Sequence, residues 1–168
     1  MNETSTSWEL RSNKGGELIR WHLRSASGHG ESSTLVGDLS IRASHWGQGP
    51  EPRDVELTIR ELPVRRSALE DLEKQLRGWV DLPLAELART PLVYAAEAGG
   101  MFDNHVSLSF GPRDDLIAER HPCVTLRFGL GKLAGEIGFV TDQSCIRELC
   151  DGIRACLTTQ ASHSSGAA

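Results

Sequence analysis

The sequence predicts an α+β fold: an antiparallel sheet of about seven strands in hairpins, with one helix mid-chain and one C-terminal helix packed on the sheet. Three observations predict it. Early segments alternate apolar and polar residues, two later segments carry apolar stripes at helical spacing, and a glycine turn sets two late strands face to face.

At 168 residues the chain fits one domain, long enough to bury about 70% of its unfolded surface. The apolar share of 39%, with 17 glycines outside that count, is that of a globular protein. The domain is expected over residues 8–158. Residues 1–7 and 159–168 read as flexible tails, because both are polar with nothing to bury. No internal repeat is visible.

Three early strands alternate with period two. Ile19, Trp21 and Leu23 oppose Arg20, His22 and Arg24 in the first. Leu35, Leu39 and Ile41 oppose Asp38, Ser40 and Arg42 in the second. Val55, Leu57 and Ile59 oppose Glu56, Thr58 and Arg60 in the third. One dry and one wet face per strand is the antiparallel habit. Residues 25–33 and 44–54, rich in glycine, serine or proline, are loops between them.

The first helix is expected to start at Ser67, where Ser67 and Glu70 form a capping-box pattern. Leu69, Leu72, Leu76, Trp79 and Val80 follow as one stripe. Strands return at residues 92–96 and 106–110. In the hairpin from Cys123 to Val140, a turn at Gly131-Lys132 sets Leu130, Phe128, Leu126 and Val124 opposite Leu133, Gly135, Ile137 and Phe139. The same register sets Arg127 against Glu136. The last helix takes Asp142 as its N-cap and carries Cys145, Ile146, Leu149, Cys150, Ile153, Cys156 and Leu157 on one face.

The formal net charge of −5 argues against a nucleic-acid backbone as partner and suits a basic protein. The opening ten residues lack the basic start and apolar run of a secretory signal, and no apolar run reaches membrane-spanning length. The expected address is therefore the cytoplasm, with the four cysteines as free thiols.

No catalytic or cofactor-binding signature appears, and no metal site is expected. Cys145 and Cys156 are eleven residues apart, roughly 16 Å along a helix, too far to share one ion. Asp103, His105 and His121 form a possible neighbourhood on adjacent strands, without a placed third partner. The candidate partner-binding residues are Trp46, an aromatic anchor in a loop, and the acidic pair Asp114 and Asp115.

LVGDLSIRAS (Leu35 to Ser44), LEDLEKQLRGWV (Leu69 to Val80) and VTLRFGLGKLAGEIGFVTDQSCIRELCDGIRACL (Val124 to Leu157) together resemble the WapI family of bacterial immunity proteins. The resemblance implies a cytoplasmic protein that binds and neutralises a toxin, without catalysis of its own. A protein-binding module is thus the first reading. A small-molecule-binding protein or enzyme, with a pocket between sheet and C-terminal helix, is the alternative. A structural or oligomerising domain is the third.

Overall fold

Among the residues described, eight strands fall into two antiparallel four-stranded sheets, and a helix follows each sheet. The computed structural model describes residues 7–14, 16–27, 33–45, 53–87, 89–98, 104–111, 121–130 and 132–164. The first sheet runs in chain order through β1 (Ser7–Arg11), β2 (Leu18–Ser27), β3 (Thr34–His45) and β4 (Arg53–Arg65). Helix α1 (Arg66–Val80) and the single turn α2 (Leu84–Leu87) lead to the second sheet. This contains β5 (Leu92–Ala98), β6 (Asn104–Gly111), β7 (Cys123–Leu130) and β8 (Leu133–Val140), again in chain order, and α3 (Gln143–Ser164) follows it.

The α+β class, the antiparallel hairpins and the two principal helices are those the sequence predicts. Their arrangement is a four-stranded meander plus helix, made twice. That repeat lies in topology alone, which explains why no sequence repeat announces it. Strand β1 lies ahead of the first strand expected; its two apolar residues, Trp8 and Leu10, are both buried. Helix α3 continues to Ser164, into the polar stretch from residue 159 that the sequence reads as a tail.

The core lies between the sheets and under the helices. The apolar halves of β2 and β3 point inward as expected, and the α1 stripe is buried at Leu69, Leu72, Leu76, Trp79 and Val80. Burying each such side chain contributes about 1.5–3 kcal/mol. Helix α3 adds Ile146, Leu149, Cys150, Ile153 and Cys156, while Cys145 is only half-buried. The β7–β8 register is the expected one, including Phe128 opposite Gly135 and Arg127 opposite Glu136. Lys132 follows in the two-residue turn, and Gly131 lies outside the described residues.

Three local readings need correction. The Ser67–Glu70 capping box does not form, because β4 runs directly into α1 and leaves Ser67 inside the first turn. The N-cap is Arg65, with no side-chain cap; Arg66 N–H donates to Ser33 O at 3.0 Å, and Arg66 Nε holds Glu70 at 2.8 Å. Val55 was expected on the dry face, yet it is 53% exposed at the distal end of the β3–β4 hairpin. Finally, β4 does not keep one phase. A bulge opposite Asp38, with Glu61 at φ 55°, shifts the inward set from Ile59 to Leu62 and Val64.

Candidate binding face

Cross-strand pairing turns the polar halves of β1 to β4 into an ordered surface. On the outer side of the first sheet, one row reads Arg11, Leu18, Arg42, Glu56 and the next Glu9, Arg20, Ser40, Thr58. The strands alternate, so Glu9, Arg11, Arg20 and Arg42 each adjoin a core residue along their own strand. Core burial therefore fixes where the charges stand.

Glu9 is held from two sides. Arg20 donates Nε at 2.9 Å and Nη2 at 2.8 Å to its Oε2, and Arg11 also pairs with it. Partial burial works to raise the Glu9 carboxyl, but the hydrogen bonds and charges of Arg20 and Arg11 outweigh it and hold the group below its ordinary range. Asp38 does similar work one row away. Its Oδ1 accepts the Glu61 N–H at 3.1 Å, and its Oδ2 accepts from Arg24 at 2.8 Å. The Glu61 amide, then Arg24, keep this carboxyl below its usual value. One aspartate thus ties together the β4 bulge and the guanidinium of β2. Ser40 and Thr58 share a hydrogen bond of 3.4 Å beside it.

Between these fixed groups lies an open groove of about 460 Å³, lined by Arg11, Glu17, Leu18, Arg20, Ser40, Arg42 and Glu56. A second groove of about 400 Å³ shares Arg20 and adds Glu9, Glu148 and Gly152, extending the surface over β1 toward α3. Arg42 is exposed and has no ion-pair partner among the described residues. The arrangement offers the guanidinium of Arg42 beside Arg11 and Arg20, which Glu9 holds in place before any partner binds.

The described crevice between the sheets is tight by comparison. Lined by Trp8, Trp21, Leu39, Leu62, Val64 and Leu69 among others, it has about 20 Å³, room for a single water. Where α3 crosses β1, a side chain added at Gly152 would place its Cβ 2.9 Å from Trp8 Cβ.

Trp46, Asp114 and Asp115, the expected contact residues, lie outside the described residues, as does Asp103. His105 and His121 are not brought together. His105 pairs opposite Gly129, whereas His121 precedes Cys123, which pairs opposite Gly111. Six residues of strand, about 20 Å, separate the His105–Gly129 pair from the Gly111–Cys123 pair, and His121 lies a further two residues away along the chain. Among the described residues, no group of three His, Cys, Asp or Glu side chains is placed to hold a metal ion. The four cysteines are free thiols. No described helix is long and apolar enough to cross a membrane.

The arginine and glutamate rows were read in sequence only as wet strand faces. The signal is present in Arg20, Arg42 and Glu56, each flanked by apolar residues in the alternation. Their convergence depended on a register between four strands.

No family model matches the chain, and no curated protein matches it significantly. Among solved structures, the chain is similar to the plant transcriptional regulator PBF-2, with a TM-score of 0.47 and 10% identity over 95% of this chain and 84% of that one.

Proposed function

We propose that this protein is a non-catalytic protein-binding module, with the outer face of the first sheet as a docking surface. The observation that carries the reading is the open groove of about 460 Å³ in which Arg11 and Arg20 are already held by Glu9 while Arg42 stands without an ion-pair partner among the described residues. Side chains held before binding lose little entropy on binding, and arginine is enriched at protein interfaces. Arg42 supplies a donor for a partner carboxylate. Glu17 and Glu56, with the overall charge of −5, suit basic groups around it. In the immunity-like form of this reading, the partner is a basic toxin domain occluded in the cytoplasm, and Trp46, Asp114 and Asp115 remain its candidate contacts from the sequence.

The test is capture of partners from the native host by the tagged full chain, followed by affinity measurement with variants. Arg42→Glu and Glu56→Arg should each weaken the captured partner tenfold or more, about 1.4 kcal/mol. Raising salt should weaken it further, since exposed charges are screened beyond roughly 8 Å at physiological ionic strength. Trp46→Ala and the paired change Asp114→Lys with Asp115→Lys test the outer contacts. A partner that binds every variant like the parent removes this face from the reading. A small molecule retained with no protein partner sinks the reading itself.

A further inference from the structure

Opposite charges set directly across an antiparallel ladder ordinarily close on one another. In the second sheet Arg127 and Glu136 stand opposite and form an ion pair. In the first sheet Arg42 and Glu56 stand opposite in the same way, and both are exposed. Among the described residues neither takes part in an ion pair. Both line the open groove of about 460 Å³, so each charge borders a space that an occupant can enter.

The signs around the groove are ordered. Arg20, which Glu9 holds, is diagonal to Arg42 across the β2–β3 ladder, about 7–8 Å away. Glu17 also lines the groove and has no ion pair among the described residues. A purely acidic occupant meets repulsion from Glu17 and Glu56, and a purely basic one meets it from Arg20 and Arg42. An occupant carrying both signs suits each side. Leu18, half-buried between Arg11 and Arg42 in the same row, gives the aliphatic stems of such side chains an apolar rest.

With the outer face of the first sheet as the docking surface proposed above, we propose that the partner presents to this groove a helix bearing an acidic and a basic side chain four residues apart. The carboxylate takes the Arg42 guanidinium, whose forked N–H donors match its two oxygens, and the cation takes Glu56. Adjacent strands lie about 4.8 Å apart, and side chains four apart on a helix about 5–6 Å, so one helix face reaches both charges. Alternate residues on a strand stand about 6.7 Å apart, a poorer match. Exposed ion pairs are individually weak, so this contact selects the partner while the remaining interface supplies affinity.

NMR titration of the labelled full chain tests it with three capped helical peptides, carrying at positions four apart Glu and Lys, two Glu, or two Lys. The Glu–Lys peptide should shift the Arg42 Nε–H and Glu56 carboxyl signals together and saturate in the millimolar range. The single-sign peptides should bind at least threefold more weakly. Arg42→Glu should turn the preference to the two-lysine peptide, a reversal that loss of folding cannot produce. Arg42→Glu combined with Glu56→Arg restores one charge of each sign and should restore the preference for Glu–Lys. A single-sign peptide that binds the parent as well as the mixed one, or no saturating shift with any peptide, would overturn the proposal. In either case a captured partner still weakened by Arg42→Glu leaves the docking surface itself standing. Free glutamate or free lysine binding more tightly than the Glu–Lys peptide would also overturn it, assigning the groove to a small zwitterion.

Discussion

Gly37 of β3 lies under the indole of Trp21 on β2: a Cβ at position 37 would sit 2.3 Å from Trp21 Cε2 and 2.5 Å from Cζ2. The ring occupies the space a side chain would need. Trp21 is also stacked on Trp8, with centroids 6.2 Å apart and planes 20° from parallel. It is 1% exposed and has nowhere to retreat.

Gly37→Ala should therefore destabilise the protein by overpacking, by about 1–3 kcal/mol. Urea denaturation followed by tryptophan fluorescence measures it through the midpoint. Gly78→Ala is the control, since a Cβ there meets nothing within 4 Å and the position is helical. It should raise stability by about 0.4–1 kcal/mol. An unchanged midpoint for Gly37→Ala would mean that the indole does not fill that space.

The parts legible in sequence were those decided by local spacing. The α1 stripe is a single periodicity, and the β7–β8 register follows from one turn and four apolar pairs. What escaped depended on distant partners. The β4 bulge needs Glu61 at positive φ, which glutamate does not announce, and it is stabilised by Asp38 from 23 residues away. Strand β1 contributes only Trp8 and Leu10 to the apolar pattern, too few to show alternation without β2 beside them. The binding face fails for the same reason: Arg11, Arg42 and Glu56 become neighbours only through three ladders.

In the β7–β8 hairpin, packing should outweigh charge. Phe128 is 8% exposed, and its ring covers Gly135, where a Cβ would stand 2.5 Å from Cζ. Phe128→Ala should cost about 3–5 kcal/mol. The Arg127–Glu136 pair stands in solvent, with side chains 64% and 38% exposed. A double-mutant cycle on it should return less than about 1 kcal/mol. A cycle energy matching the Phe128 loss would invert this ranking.

Asp142 caps α3, accepting the Cys145 N–H at 2.9 Å and the Ser144 hydroxyl at 2.6 Å on Oδ1. The Ser144 bond, then the Cys145 amide, hold its carboxyl below the ordinary 3.8 against the opposing effect of burial. The folded-state value is thus depressed. The contribution is present above 3.8 and disappears as pH falls through the lower folded value. Asp142→Ala should cost about 1 kcal/mol at neutral pH. The gap from the parent in thermal or chemical melts should close under strong acid. Asp142→Asn should keep the cap at neutral pH and lose the acid dependence. A gap that stays constant into strong acid would show that the charged form contributes nothing.

The thiols of α3 should be slow to react in the folded protein. Cys150 and Cys156 are fully buried, and burial raises each from 9.0 to about 11, although Arg77 pulls Cys150 the other way. A rise of that size cuts the thiolate fraction about a hundredfold, before any loss of access. Cys145, half-buried, is raised by burial and by the neighbouring Asp142, so its labelling should also lag a denatured control. Mass-spectrometric time courses with a thiol reagent at mildly alkaline pH resolve the sites. The expected order is Cys145 first, with Cys150 and Cys156 modified only as the protein unfolds. Cys150→Ser should cost about 1–3 kcal/mol by placing a hydroxyl in an apolar site, and Cys150→Ala less. Rapid labelling of all three cysteines without unfolding would show that α3 does not bury this face against the core.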